Sequence, residues 1–206
     1  MPRPRKPREI EVVDLFCGIG GLSYGLKTSG FRILAGYDLD GTCEYAYEHN
    51  NNASFQYRDI KSVTSSEIKS LYSKDSIKVL AGCAPCQPFS SYSHSKKEKD
   101  PNKYDLLYEF GRLVKDVKPD IVTMENVTQI VNFKEKPVLQ DFINTLTSTG
   151  YEVSVNKVFC PDYGVPQTRK RLVLLASRLG SITLIPPTHT KENYITVGDV
   201  IRDLPP

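Results

Sequence analysis

The sequence predicts an α/β fold: a largely parallel sheet with helices on both faces. Three observations predict it. Short apolar runs of strand length recur along the chain, stretches with helical period stand between them, and glycines or acids punctuate the ends of the runs. In order, residues 10–16 (IEVVDLF) are apolar and branched, and stop at the glycine turn CGIGG. Residues 22–30 read as a helix closing at Gly30. Residues 31–40 form a second strand ending in acids, 44–51 a helix, 54–60 a short third strand, 65–73 a short helix, and 77–83 a fourth, buried strand. Residues 87–103 are polar, with prolines toward both ends and four lysines. That is long for a structureless connection, which marks it as a candidate functional loop. A helix from 105 that ends before Pro119, a strand over 120–127, a helix over 137–150 and strands over 151–159 and 171–177 complete the series. In such a sheet, ligands sit beyond the carboxyl ends of the strands.

Composition bounds the rest. The chain has 206 residues, 39% of them hydrophobic, which suits the core of one ordinary domain. No apolar stretch approaches a membrane span, and MPRPRKPREIE lacks a signal-peptide core, so the expectation is a soluble, cytoplasmic protein, nucleoid-associated if bacterial. Five cysteines, an odd number without a dense framework, point to reduced thiols. A net charge of +3 proves no polyanion partner, but the basic residues cluster in RPRKPR, HSKKEKDPNK and QTRKR, an arrangement compatible with nucleic acid.

The candidate site residues fall at strand ends. Gly18, Gly20 and Gly21 let the backbone approach a ligand and turn into the helix, and Asp38 ends the next strand about 20 residues on, where a ribose hydroxyl lies in nucleoside sites. Ser23 replaces the third glycine of the dinucleotide pattern, which disfavours NAD. Asp59 is a further acid at this edge, able to accept from an adenine amino group or to cap a helix. Cys83 and Cys86 have CxxC spacing, but no second Cys/His pair completes a zinc site, and Pro88 with a polar loop follows where a redox motif opens a helix. A nucleophile remains, given a nearby acid or base and a charge stabiliser. Glu125 ends one strand, and Arg169 and Arg171 begin another. Each also has a plainer reading: a buried small residue for Cys86, a strand-end ion pair for Glu125, a solvated turn for the arginines.

The ordered set DLFCGIGG, YDLD, RDI, APCQPFS, MENV and QTRKR closely resembles that of the cytosine carbon-5 DNA methyltransferases, from about residue 10 to the last. The resemblance implies the Rossmann-like fold of S-adenosylmethionine-dependent methyltransferases, transfer to carbon 5 of a cytosine in duplex DNA, restriction–modification as the setting, and no metal. It places Phe16, Gly18, Gly20, Gly21, Leu22, Asp38, Leu39, Asp59, Ile60, Pro85 and Leu106 around the cofactor. It makes Cys86 the nucleophile, Glu125 the residue at ring nitrogen 3 and the exocyclic amine, and Arg171 the residue at the base carbonyl, with Arg169 nearby. It sets Gln87, Ser90, Ser91 and Gln167 toward DNA, and leaves Cys83 to packing.

The chemistry explains the residue types. Carbon 5 is a poor nucleophile until a thiolate adds to carbon 6, and the charge this places on the ring is relieved by a protonated carboxyl and a cation. The target base must first leave the duplex. The resemblance implies three parts: a basic arm over 1–9, a cofactor-binding and catalytic domain over 10–185, and over 186–206 the start of a truncated linker toward a target-recognition region in the missing C-terminal part or in a second polypeptide. The expectation is that the chain alone binds S-adenosylmethionine, or its product S-adenosylhomocysteine, weakly and methylates DNA poorly or not at all. The alternatives are tRNA as substrate and a non-catalytic cofactor- or nucleic-acid-binding module.

Overall fold

The computed structural model describes residues 7–85, 105–132 and 137–205. Seven strands form one sheet in the order β3-β2-β1-β4-β5-β7-β6, with β1 Ile10–Leu15, β2 Arg32–Asp38, β3 Ser54–Tyr57, β4 Ile77–Gly82, β5 Ile121–Val127, β6 Glu152–Phe159 and β7 Lys170–Ser177. The first five pair in parallel, and β7 runs antiparallel to both β5 and β6. Sequence order alone does not reveal that β7 sits between β5 and β6. The reason is the short link over residues 160–169, which holds only a 3-10 turn at Cys160–Tyr163. A parallel return needs a crossover of a dozen or more residues, whereas a short link folds back as an antiparallel neighbour.

The helices are α1 Gly21–Thr28, α2 Glu44–Asn51, α3 Ser65–Leu71, α4 Asp105–Val117, α5 Val138–Ser148 and α6 Val197–Ile201. Alternation along the strands sends side chains to two apolar layers. On one face Val12, Ile33, Phe55, Val79 and Ala81 pack with Tyr47 of α2 and with Leu22 and Leu26 of α1. On the other, Val13, Leu80, Val122, Met124 and Leu174 pack with Ile68 of α3, Phe110 and Leu113 of α4, and Phe142 of α5. Helices therefore cover both faces. Residues 188–194 are tied to the sheet's far end: Thr188 and His189 donate their backbone N–H groups to the Asp162 carbonyl, and the Tyr194 hydroxyl donates to the Asp162 carboxylate. Among the described residues no helix is long and apolar enough to cross a membrane.

The amino end of the sheet carries a buried charge. Glu11 in β1 has no exposed surface, and its carboxylate accepts from the Ser73 N–H at 2.7 Å, the Ser73 hydroxyl at 2.7 Å and Arg32 Nη1 at 3.3 Å. Burial pushes the Glu11 carboxyl up, but the bonds from Ser73 and the Arg32 charge outweigh it and hold it below its ordinary value. A depressed carboxyl stabilises the fold above its unfolded value and loses that contribution as pH falls through the folded one. Glu11→Gln is expected to cost about 1–3 kcal/mol near pH 7 and to flatten the acid limb of stability, as read by urea titrations from pH 7 to 3.

Candidate active site

At the carboxyl ends of β1 to β4 lies a cleft of about 340 Å³. Phe16, Leu39, Ile60, Pro85 and Leu106 give it apolar walls, and Asp38, Asp40, Arg58 and Asp59 add polar ones. Seven of these nine are residues that the resemblance places around the cofactor. The two missed, Asp40 and Arg58, adjoin picked residues in YDLD and YRDI; Asp40 follows Asp38 by two, and Arg58 directly precedes Asp59.

Local geometry explains the positions. Phe16 has φ 57°, a left-handed backbone rare for an aromatic residue, and its ring meets Phe110 of α4 edge-on at 6.5 Å. The turn that follows is held by Asp38, whose Oδ2 accepts from the Gly18 N–H at 2.8 Å while Oδ1 accepts from the Asp40 N–H at 2.9 Å. Each carboxylate oxygen keeps a lone pair for a ligand. Asp59 does double duty: it lines the cleft, and its side chain caps the 3-10 turn Ile60–Ser62 by accepting from Lys61 N–H at 3.0 Å. Gly18, Gly20, Gly21 and Leu22 are not among the lining residues. Gly20 presses against α2, and Leu22 packs into the layer beneath α1.

A second group assembles at the ends of β5 and β7. Val127 pairs with Arg171 and Glu125 with Val173, so Glu125 and Arg171 are diagonal neighbours on one sheet face. Arg171 Nε lies 2.6 Å from Glu125 Oε1. This is a charge contact rather than an aligned hydrogen bond, because Nε has no hydrogen-bond partner among the described residues. Burial lifts the Glu125 carboxyl above its ordinary value while the Arg169 charge pulls it down, and the Arg171 contact pulls in the same sense as Arg169. Burial also pushes the Cys83 thiol far up, with the Asp14 and Glu125 charges adding to it. This favours the neutral thiol at Cys83, the form that is a poor nucleophile. Gln167 is exposed; its backbone N–H donates to the Val165 carbonyl at 2.7 Å, and its own carbonyl accepts from the Arg169 N–H at 2.7 Å.

Asn126 joins the two groups. It is buried, its Nδ2 donates to the Ala84 carbonyl at 3.2 Å, and its Oδ1 accepts from Val127 N–H at 2.8 Å. This bond ties the segment leading to Pro85, in the cleft wall, to the strand that carries Glu125. Cys86, Gln87, Ser90 and Ser91, with the rest of the polar loop, lie outside the described residues.

A family model for C-5 cytosine-specific DNA methylase matches residues 10–206. The chain belongs to this family. Among its methylase relatives, the type II methylase M.HgiDII of Herpetosiphon aurantiacus is 51% identical over 94% of this chain and 54% of its own length. The type II methyltransferase M.XorII of Xanthomonas oryzae pv. oryzae is 33% identical over 94% of this chain and 46% of its own. A crystal structure of an E. coli prophage protein assigned as a DNA modification methyltransferase superposes with a TM-score of 0.80 at 26% identity, covering 96% of this chain and 56% of that one. The sheet described above is the fold of these methylases. The chain spans about half the length of the relatives it matches.

Proposed function

We propose that this chain carries the cofactor cleft and base-activating residues of a DNA cytosine-5 methyltransferase, acting on duplex DNA within a bacterial restriction–modification system in the cytoplasm. The observation that carries this reading is the Glu125–Arg171 contact at the strand edge, tied through Asn126 to the wall of the neighbouring cleft.

The cleft suits S-adenosylmethionine. Its polar lining holds three carboxylates, Asp38, Asp40 and Asp59, against one guanidinium, Arg58. That balance favours a nucleoside bearing positive charge and repels the phosphates of a dinucleotide. Asp38 would accept from the ribose, Asp59 from the adenine amine, and Phe16, Leu39, Ile60, Pro85 and Leu106 would enclose the apolar faces. When bound, S-adenosylmethionine supplies an electrophilic methyl group.

The chain's own residues prepare the base. In this reading Cys86, next in sequence to the cleft-wall residue Pro85, adds its thiolate to carbon 6 of a flipped cytosine. Glu125, its carboxyl lifted by burial, holds a proton at ring nitrogen 3. Arg171, with Arg169 beside it, faces the carbonyl, and the two groups together take up the electron density that addition places on the ring. Gln87, Ser90, Ser91 and Gln167 are assigned to the DNA side of the pocket. The test offers a duplex containing 5-fluorocytosine, with S-adenosylmethionine, to the chain supplied with a target-recognition part. The expected result is a stable adduct located by mass on Cys86 and abolished in Cys86→Ser. Trapping on a matched RNA but not on DNA would overturn the substrate assignment, and an adduct on another residue would overturn the nucleophile.

A further inference from the structure

Asp14 lies in β1 with no exposed surface, on the face covered by α1 and α2. Its Oδ2 accepts from the Ser23 hydroxyl of α1 at 2.7 Å, and the Ser23 oxygen lies 3.1 Å from the Tyr47 hydroxyl of α2. Ser23 has one proton and directs it at Asp14, so Tyr47 donates to Ser23. Asp14 Oδ1 has no hydrogen-bond partner among the described residues. The titratable groups that face Asp14 are Tyr47 from α2, Cys17 from the glycine turn, Asp38 from the end of β2 and Cys83 beyond β4. Among the described residues this set contains no cation. A carboxylate there would be buried, half-satisfied and set against another carboxylate. Burial first and the Asp38 charge second push Asp14 up to about 7 against the pull of the Ser23 bond.

Asp38 links this carboxyl to the cleft, since it lines the cleft, holds the Gly18 N–H and acts on Asp14 by its charge. A cation entering the cleft offsets the Asp38 field and favours the ionised form of Asp14. Building on the functional reading above, we propose that Asp14 is a proton-exchanging counter-charge for the cofactor cleft. It carries a proton in the free protein and loses it to solvent water as a sulfonium-bearing nucleoside binds. The carboxylate left behind keeps the Ser23 bond. When the sulfur becomes neutral on loss of its methyl group, Asp14 takes a proton back from solvent, which distinguishes product from substrate at a site neither of them touches.

Calorimetric titration of the purified chain with S-adenosylmethionine and with S-adenosylhomocysteine, each in two buffers of different ionisation enthalpy at pH 6.5, counts the protons released. The expected result is greater release with S-adenosylmethionine, and loss of that difference in Asp14→Asn. Affinity of the unaltered chain for S-adenosylmethionine should rise by up to about tenfold per pH unit below the midpoint and level off above it. Ser23→Ala removes the hydroxyl's hydrogen bond to the carboxylate and should move the midpoint to higher pH; should Asp14→Asn fail to fold, an unmoved midpoint in Ser23→Ala overturns the proposal. Equal proton release by the two ligands, or a difference that survives in Asp14→Asn, overturns it alone. Failure to bind S-adenosylmethionine at any pH overturns the functional reading and the proposal together.

Discussion

Glu125→Ala is expected to slow methyl transfer by about 100- to 1,000-fold while leaving S-adenosylmethionine affinity unchanged, the size of effect seen when one preorganised donor is removed from a developing charge. The expectation rests on position: Glu125 contacts Arg171 on the sheet face, near the carboxyl end of β5, and does not line the cofactor cleft. The pH dependence sharpens it. Burial lifts the carboxyl, so the acid form that donates to the ring survives to higher pH than an ordinary glutamate would allow, and the rate should fall as pH rises through that lifted value. Glu125→Gln keeps an N–H donor that cannot titrate. It should therefore lose less rate than Glu125→Ala and show no alkaline limb assigned to this group. Single-turnover rates from pH 6 to 9 for the three proteins, each supplied with a target-recognition part, decide the matter. An alanine variant within about tenfold of the original, or an unchanged alkaline limb in Glu125→Gln, would remove Glu125 from the chemistry. Because the side chain is about one-third exposed, the substitution should lower the urea midpoint only modestly, through the unpaired Arg171 charge, which separates loss of chemistry from loss of fold.

The positions of Glu125, Asp38, Asp59 and Phe16 were legible because parallel strands end at one edge, so residues far apart in sequence become neighbours once the strands are found. Elements whose signals are local were equally legible. The helix expected over 44–51 has those bounds, and the strand expected over 120–127 begins at Ile121. What escaped depends on partners remote in sequence. The run IEVVDL reads as apolar, yet it buries two carboxyl groups. Glu11 is tolerated because Ser73, 62 residues away, satisfies it, and Asp14 because Ser23, itself paired with Tyr47, donates to it. The place of β7 was likewise set by pairing with β5 and β6 rather than by anything in RLVLLAS. Asn126, read only as part of MENV, owes its importance to a contact with Ala84 that no spacing announces.

The glycine turn shows the same division, and it yields the largest expected loss of stability. Gly20 has φ 87°, and a Cβ built there would lie 2.1 Å from Asn51 Nδ2 and 2.8 Å from Tyr47 Cδ2, both on α2. Read from sequence, this glycine serves the approach of a ligand; in the fold it serves the approach of a helix. Gly20→Ala therefore meets two penalties, about 1–2 kcal/mol for a left-handed backbone and about 1–3 kcal/mol for overpacking a tight contact. The sum, roughly 2–5 kcal/mol, is a large part of the 5–15 kcal/mol that holds an ordinary domain. The two penalties separate by experiment. Adding Asn51→Ser shortens the nearest obstructing side chain, and should restore part of the overpacking loss but none of the backbone loss. Gly18→Ala keeps a comparable strain at φ 50° with nothing within 4 Å of its Cβ, and should show the backbone penalty alone. Urea denaturation with matched slopes measures all three. If Gly20→Ala proves no more costly than Gly18→Ala, α2 does not press on the turn as described, and the glycine is held by its backbone conformation alone.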